Sequence, residues 1–543
     1  MNGTSAGRET HVPVLIVGGG PVGLALAIEL GRLDVDCLVV EQTDGGVDHP
    51  RASALNARTM EFCRRWGIRD KVVAVATPPE FPQTVIYVTN LNGHEIARIE
   101  RPTHGSDKPL PYSPEGPQRC NQLWFNPVLA ECAGGLESVT FRTRCRFAGF
   151  ETVADGIVAD IENISTGGRD RVRADYLVAC CGGRSTIPAA LGVAMDEDSV
   201  LSHSLNIFFR AGNLWDHHDK GPAALNFFIG PEGLWGGMTA QDGRELWRIT
   251  IHGDKRFLDP AEIDAGAVLR RAMGADFPFE IINVVPWTRR DWVAGTYREG
   301  RVVLAGDAAH QNSPTGGFGM NTGLGDAVDL GWKLAALVHG WGGPRLIGAY
   351  ETERRSVALR NVGEATGNFA RYRLPDCTVI DDNSLEGDEL RREVGRGIIR
   401  SSTRQYLTDG IALGYRYDPS PLICADGSAA TLDEASNYTP TARPGSRAPP
   451  AWLEDGRSTL DLFGAGFTLL RLGAHAPAGD GFEAAAIARR VPLTVAAVPD
   501  AAVHDLYERA LVLVRPDGHV AWRGDKVPVD AMGVIDRVRG ADI

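Results

Sequence analysis

Gly306-Asp307-Ala308-Ala309-His310, leading into Pro314-Thr315-Gly316-Gly317-Phe318-Gly319-Met320-Asn321, is the stretch that decides how this chain is read. The apolar run Arg301-Val302-Val303-Leu304-Ala305 before it reads as a buried strand, and Leu324 to Leu337 after it reads as a helix. An acidic residue leaves a strand, a Pro-Thr turn follows, and glycines then let the backbone approach something large and flat. Asp307 can accept from a sugar hydroxyl. The amides of Gly319, Met320 and Asn321 can donate to phosphate or ring oxygens at a helix N-terminus.

Near the other end of the chain, Gly18, Gly20 and Gly23 stand at G-x-G-x-x-G spacing within Gly18-Gly19-Gly20-Pro21-Val22-Gly23. With 64 glycines in 543 residues the spacing alone carries little. Its context carries more. His11 to Val17 supplies a strand, Val22 to Leu33 an amphipathic helix, and Cys37-Leu38-Val39-Val40 a second strand ending at Glu41, with Gln42 next. A carboxylate about 20 residues beyond the glycines can bind both hydroxyls of an adenosine ribose while the helix N-terminus faces a pyrophosphate. This half alone admits NAD or FAD; the Gly306–Asn321 half favours FAD.

Composition narrows the class. The length suggests two to four domains. A net charge of −13 with no basic block argues against nucleic acid or an anionic membrane as partner. No apolar run reaches bilayer-spanning length, and Met1-Asn2-Gly3-Thr4-Ser5 carries no export signal. Nine scattered cysteines lack metal-ligand spacing, so no metal is expected and a reduced, cytoplasmic setting fits.

Strand and helix patterns alternate from residue 11 to about 190. Residues 201–295 turn to strands rich in aromatics, among them Phe208, Phe227, Phe228, Trp235, Trp247 and Trp287. Phe227 and Trp235 are expected to wall an apolar substrate pocket. The expected order is a first cofactor-binding part (1–200), a β-rich substrate domain (201–295), a second cofactor-binding part (296–375), a helical connection and linker (376–440) and a small α/β domain (441–543). Pro440, Pro444, Gly445, Pro449 and Pro450 give the linker texture.

Taken together, G-x-G-x-x-G, GDAAH…PTGGFGMNTG and Tyr350-Glu351-Thr352-Glu353-Arg354-Arg355 resemble the class A flavoprotein aromatic hydroxylases, the para-hydroxybenzoate and phenol hydroxylase type, over residues 11–543. The resemblance implies an α/β architecture: a Rossmann-like FAD-binding layer fold, an inserted β-sheet substrate domain and a C-terminal thioredoxin-like domain. With no cysteine after Cys424, that last domain cannot run thiol–disulfide chemistry, and a structural or subunit-contact role is expected. A homodimer is a family expectation.

Carried over residue by residue, the resemblance implies that Gly18, Gly20, Pro21, Val22 and Gly23 approach the pyrophosphate, with Arg51 beside it. Glu41 and Gln42 meet the ribose, Gln122 the ribityl chain, and Gly306 and Asp307 close the second half-site. Gly317, Gly319, Met320 and Asn321 line the flavin ring, and the carbonyl of Pro314 lies beside the substrate hydroxyl. Asn126 stands where a glutamate is common. The family's middle motif departs here: its aspartate position is Cys181 and its arginine position Pro188, which puts the nicotinamide interaction in doubt.

The implied activity is hydroxylation of an aromatic, phenolic ring with NAD(P)H and O₂ through a flavin C4a-hydroperoxide, the cofactor carrying the chemistry. No catalytic base is assigned; His203, His252 and His310 qualify by residue type only. The alternatives are an oxygenase removing a nitro or halide substituent, and a flavin-bearing protein that sequesters ligands. A halogenase lacks its W-x-W-x-I-P motif here. Few obvious cationic anchors lean the substrate toward a neutral phenol or polycyclic aromatic.

Overall fold

The computed structural model describes residues 10–104, 110–193, 199–370 and 374–542. Five parallel strands form the first layer, in the order Val302–Leu304, Arg169–Ala179, Thr10–Val17, Cys37–Val40 and Val139–Arg142. Val14 to Val17 and Cys37 to Val40 are buried without interruption, as a parallel strand covered on both faces must be. The helices Pro21–Gly31 and Gly319–Val338 pack on this sheet, and every residue from Gly23 to Gly31 is buried. The strand Arg169–Ala179 outruns the layer: its first half pairs antiparallel with Gly156–Asn163, which pairs in turn with Cys145–Val153.

A seven-stranded sheet forms the second body: Glu280–Arg290, Val200–Arg210, Leu246–His252, Gly233–Ala240, Leu225–Gly230, Val85–Val88 and Glu95–Ile99. Its last two strands come from well outside the aromatic-rich 201–295 span. One face packs on the helix Ala265–Met273 through Ile207, Phe209, Phe228, Trp235, Trp247 and Ile249. The other face meets the helix Leu385–Ser402 at its Glu95 edge, where a Cβ on Gly395 would lie 2.2 Å from the Ile96 carbonyl oxygen.

The C-terminal sheet runs Leu493–Val498, Phe467–Leu472, Leu511–Val514, Val520–Gly524, with the first pair parallel and the rest antiparallel. Phe467 and Phe482 join Trp332, Trp341 and Leu346 in one apolar cluster, so this domain shares a core with the cofactor-layer helices. The proline-rich stretch before it is anchored rather than loose. Arg447 is 1% exposed and forks onto Glu61, which also accepts from Arg58 and Ser113. Among the described residues, no helix is long and apolar enough to cross a membrane and no His/Cys/Asp/Glu group could hold a metal.

Candidate functional site

Three glycines at the first strand–helix turn do three different jobs. Gly18 has φ +111°, and a Cβ there would sit 2.5 Å from the Cys180 carbonyl oxygen. Gly23 packs the helix onto the turn, since its Cβ would lie 2.0 Å from the Gly18 carbonyl oxygen. Gly20 is different: a Cβ there would meet nothing within 4 Å. Open space at the N-cap of an apolar helix, facing a cleft, is what a bound pyrophosphate requires.

Glu41 is fixed by its own neighbourhood. Its Oε2 accepts from the Gly19 amide at 2.9 Å, and its Oε1 accepts from the Thr43 amide and hydroxyl, both at 2.8 Å. The carboxylate is thus aimed along the cleft wall, one residue before Gln42.

The second half-site is held from behind by Asp326, which is fully buried. Its Oδ2 accepts from the Gly306 amide at 3.0 Å and pairs with His310 Nε2 at 2.7 Å; its Oδ1 accepts from Arg354 Nε at 2.8 Å. These bonds hold the Asp326 carboxyl below its usual range, His310 and Arg354 outweighing burial as its causes of shift combine. Gly306, at φ +60°, stands against Val22, so the two half-sites touch. Asp307 then projects into the cleft. It is open to the cleft but ringed by protein, and that desolvation raises its carboxyl against the opposing pull of His310 and Arg51.

Asn321 cross-braces the far side. Its Oδ1 accepts from the Asn56 amide and the Thr59 hydroxyl, and its Nδ2 donates to the carbonyls of Ala54 and Gly317. The side chain is therefore spent on the scaffold, and the first-turn amides of Gly319, Met320 and Asn321 have no partner within their own helix. Gln122 Nε2 approaches Met320 Sδ at 3.4 Å.

These pieces line one cleft of about 1650 Å³, more than the ~300–1,000 Å³ that suits a single small-molecule ligand. Gly18, Gly20, Pro21, Val22, Glu41, Gln42, Arg51, Gln122, Asp307, Pro314, Gly317, Gly319, Met320, Asn321 and Phe227 all line it. Gly23 and Gly306 do not, because each is packed beneath the surface it supports.

Trp235 is a correction. It lies on the opposite face of the sheet, stacked on Phe228 at 5.2 Å with the Arg271 guanidinium 4.1 Å above its ring. The register between Leu225–Gly230 and Gly233–Ala240 slips between Phe228 and Ile229, leaving Trp235 as the extra residue of a bulge. Alternation from Gly237 would have put it beside Phe227; the bulge re-aims it. His310, which qualified by residue type only, is a buried ring bonded to Asp326 and is unavailable to a substrate. His203 bonds Thr288. Of the three histidines, His252 alone lines the cleft, and burial with Arg289 nearby lowers it to about 3, which keeps the imidazole neutral.

Cys181 donates to the Ser185 hydroxyl at 2.8 Å, and burial raises its thiol, so it is no thiolate. Pro188 is buried in the short helix Ile187–Ala190.

The slight lean toward a neutral phenol or polycyclic aromatic, drawn from pocket aromatics and few obvious cationic anchors, missed the cleft's arginines. Arg101, Arg119, Arg248 and Arg289 all line it. One signal was available. In Leu246–His252 the alternate residues Arg248, Thr250 and His252 share a face, while Trp247, Ile249 and Ile251 share the other; the polar face is the one that looks into the cleft.

Asp307→Ala is expected to fold but to lose cofactor during purification, with FAD affinity reduced at least about tenfold, the effect of a charge-assisted hydrogen bond. Flavin fluorescence on titrating the apoprotein measures it.

Comparison with known proteins agrees with this geometry. A family model for an FAD binding domain matches residues 11–365, and one for the C-terminal part of aromatic-ring hydroxylases matches residues 441–540. The rebeccamycin biosynthetic enzyme RebC, soaked with chromopyrrolic acid and holding 7-carboxy-K252c, superposes with a TM-score of 0.90 at 40% identity, over 98% of this chain and 100% of that one. A putative polyketide hydroxylase of Streptomyces halstedii is 34% identical over 97% of this chain and 96% of its own length. Phenol 2-monooxygenase of a Pseudomonas species is 30% identical, covering 98% and 93%.

Proposed function

Because this chain belongs to the FAD-dependent aromatic-ring hydroxylases, we propose that it hydroxylates a phenolic ring of a polycyclic aromatic substrate, using O₂ and a nicotinamide nucleotide. The observation that carries this reading is the single continuous cleft. Its dinucleotide end is built from Gly18, Gly20, Glu41 and Asp307, and its other end from the floor of the seven-stranded sheet. Its volume leaves room for a ligand of several rings beside the cofactor.

Bound FAD supplies the redox chemistry and the activation of oxygen. The residues of the chain do the rest. Gly20 leaves space that a pyrophosphate would fill, and Arg51 would face it. Glu41 would accept from the adenosine ribose and Asp307 from the ribityl chain. The first-turn amides at Gly319 to Asn321 would face the ring edge, where they would stabilise negative charge. Phe227 and Trp287 bound the substrate end and exclude water. The Pro314 carbonyl can accept from a substrate hydroxyl, which makes the ring more electron-rich.

The test is made on FAD-loaded protein with a panel of phenolic polycycles. Consumption of NADH or NADPH should rise with a suitable substrate, and the product should be heavier by one oxygen atom. A flavin that either nucleotide leaves oxidised, while aromatic ligands still perturb its spectrum, would establish a sequestering protein instead. Release of nitrite or halide from a substituted ring would establish the substituent-removing reaction.

A further inference from the structure

We infer that the substrate presents a carboxylate to a cationic wall of the cleft formed by Arg101, Arg119 and Arg248. This deepens the reading above and rests on it.

The three arginines arrive from separate segments. Arg101 follows the strand Glu95–Ile99, Arg119 ends the two-residue strand Gln118–Arg119, and Arg248 sits mid-strand in Leu246–His252. All three line the cleft. Their partners are neutral. Arg119 Nε donates to Gln83 Oε1 at 3.1 Å. Arg248 Nη1 donates to the carbonyls of Pro50 and Arg51 at 3.0 and 3.1 Å, while its Nε is buried with no hydrogen-bond acceptor. The Arg101 guanidinium lies 4.9 Å over the Tyr406 ring.

Among the described residues, no carboxylate forms an ion pair with any of the three. The cleft does contain acids: Glu41 and Asp307 belong to the cofactor half-sites, Asp44 pairs with Arg144, Asp409 accepts from the Tyr112 hydroxyl, and Asp48, beside His49, forms no ion pair with the three arginines.

Elsewhere this protein follows the opposite rule. Arg354 pairs with Asp326, Arg447 with Glu61, and Arg515 with Asp329, Glu353 and Asp517. A buried guanidinium without a counter-ion is costly, and several held together are costlier. The strain shows in their acidities. Burial lowers Arg119 and Arg248 to about 10 and lowers Arg101, and for Arg119 the neighbouring Arg101 and Arg248 add to it. His104, in the same wall, is held to about 3 by burial and by Arg119 and Arg101, so it stays neutral.

A fold that pairs its buried arginines outside the cleft with carboxylates, yet leaves these three facing a ligand cleft, leaves the neutralising to the ligand. Guanidinium forks fit a planar carboxylate through paired hydrogen bonds. The adjoining walls, Phe227 and the Thr250–His252 face of the sheet, suit the aromatic body that carries it.

The experiment uses FAD-loaded enzyme and two probes of one shape, anthracene-2-carboxylate and anthracene-2-carboxamide, with binding read from the flavin absorbance. The carboxylate should bind at least about tenfold more tightly than the amide, the discrimination expected of a charge-assisted pair. That ratio should collapse toward one in both Arg248→Gln and Arg101→Gln, variants chosen because neither side chain is fully buried. Retention of the wild-type flavin spectrum shows that each variant is folded.

Equal binding of the two probes, tighter binding of the amide, or no saturable binding of either overturns the inference. So does a ratio that survives in both variants. A variant that raises KM for NADPH and leaves the ratio intact assigns the wall to the nucleotide, and also overturns it. Failure of the monooxygenase reading would appear separately, as a flavin that neither nucleotide reduces.

Discussion

Gly20→Val should give a folded, colourless protein. The backbone at Gly20 has φ −75° and ψ −178°, an extended conformation open to any residue, and a Cβ would meet no protein atom within 4 Å. Apart from about 1 kcal/mol for a poorer N-cap, the apoprotein should tolerate the change. The valine methyls instead fill the space in front of the first-turn amides of Pro21–Gly31. Any pyrophosphate there must move away, and FAD affinity should drop by at least about 100-fold, ~2.7 kcal/mol. Gly23→Ala makes the contrast, because its methyl would stand 2.0 Å from the Gly18 carbonyl oxygen and must distort the turn itself. The measurement is paired: unfolding midpoints of the two apoproteins, and FAD titration of each by fluorescence. A yellow Gly20→Val protein of unchanged affinity would remove the pyrophosphate from this turn.

The contrast between those glycines shows why half of the site was readable from sequence. Gly18 through Glu41 and Gly306 through Asn321 are each short, continuous stretches whose geometry is set by neighbours in the chain, so a motif and its flanking strand and helix specify the shape. The substrate end has no such economy. Its floor comes from strands at 200–290, and its arginines from 101, 119 and 248, the first of them following the edge strand Glu95–Ile99. Only long-range pairing brings these together: Leu225 to Phe228 align in parallel with Val85 to Val88, although the two strands are far apart in sequence. A residue's face could still be read by alternation, as for Arg248, Thr250 and His252. Trp235 shows the limit of that method, because one bulge residue turns a pocket wall into core. Asp326 was hidden for another reason. A buried acid inside a helix reads as an oddity until the Gly306 amide, His310 and Arg354 are seen around it.

A second large effect is expected where the C-terminal domain meets the cofactor layer. Arg515 is fully buried: its Nη1 donates to Glu353 Oε1 at 2.6 Å, and its Nη2 reaches Asp329 at 2.8 Å and Asp517 at 2.6 Å. Lys333 adds bonds of 2.6 Å to Asp329 and to Glu353. Two cations thus face three carboxyls, and the imbalance is met by a proton. Burial, with Glu353 and Asp517 close by, raises the Asp329 carboxyl to about 8, while Arg515 and Lys333 hold Glu353 in its charged form. Arg515→Met should therefore destabilise the protein by about 3–5 kcal/mol, since it leaves buried carboxylates uncompensated. Asp329→Asn keeps the shape and the neutral state, and should cost far less. The pH dependence separates these roles. Asp329 binds its proton in the folded state up to about pH 8 but in the unfolded chain only near its ordinary 3.8. Its contribution is complete below that lower value and is lost as pH rises toward 8, at up to about 1.4 kcal/mol per pH unit. Urea unfolding of the wild type across this range should show that decline, and Asp329→Asn should remove it. Parallel profiles for the two proteins would place the proton elsewhere in the cluster. A loss of under about 1 kcal/mol in Arg515→Met, the range of an exposed ion pair, would mean that the shared apolar core of Trp332, Phe467 and Phe482, and not this cluster, fastens the C-terminal domain to the flavin-binding helices.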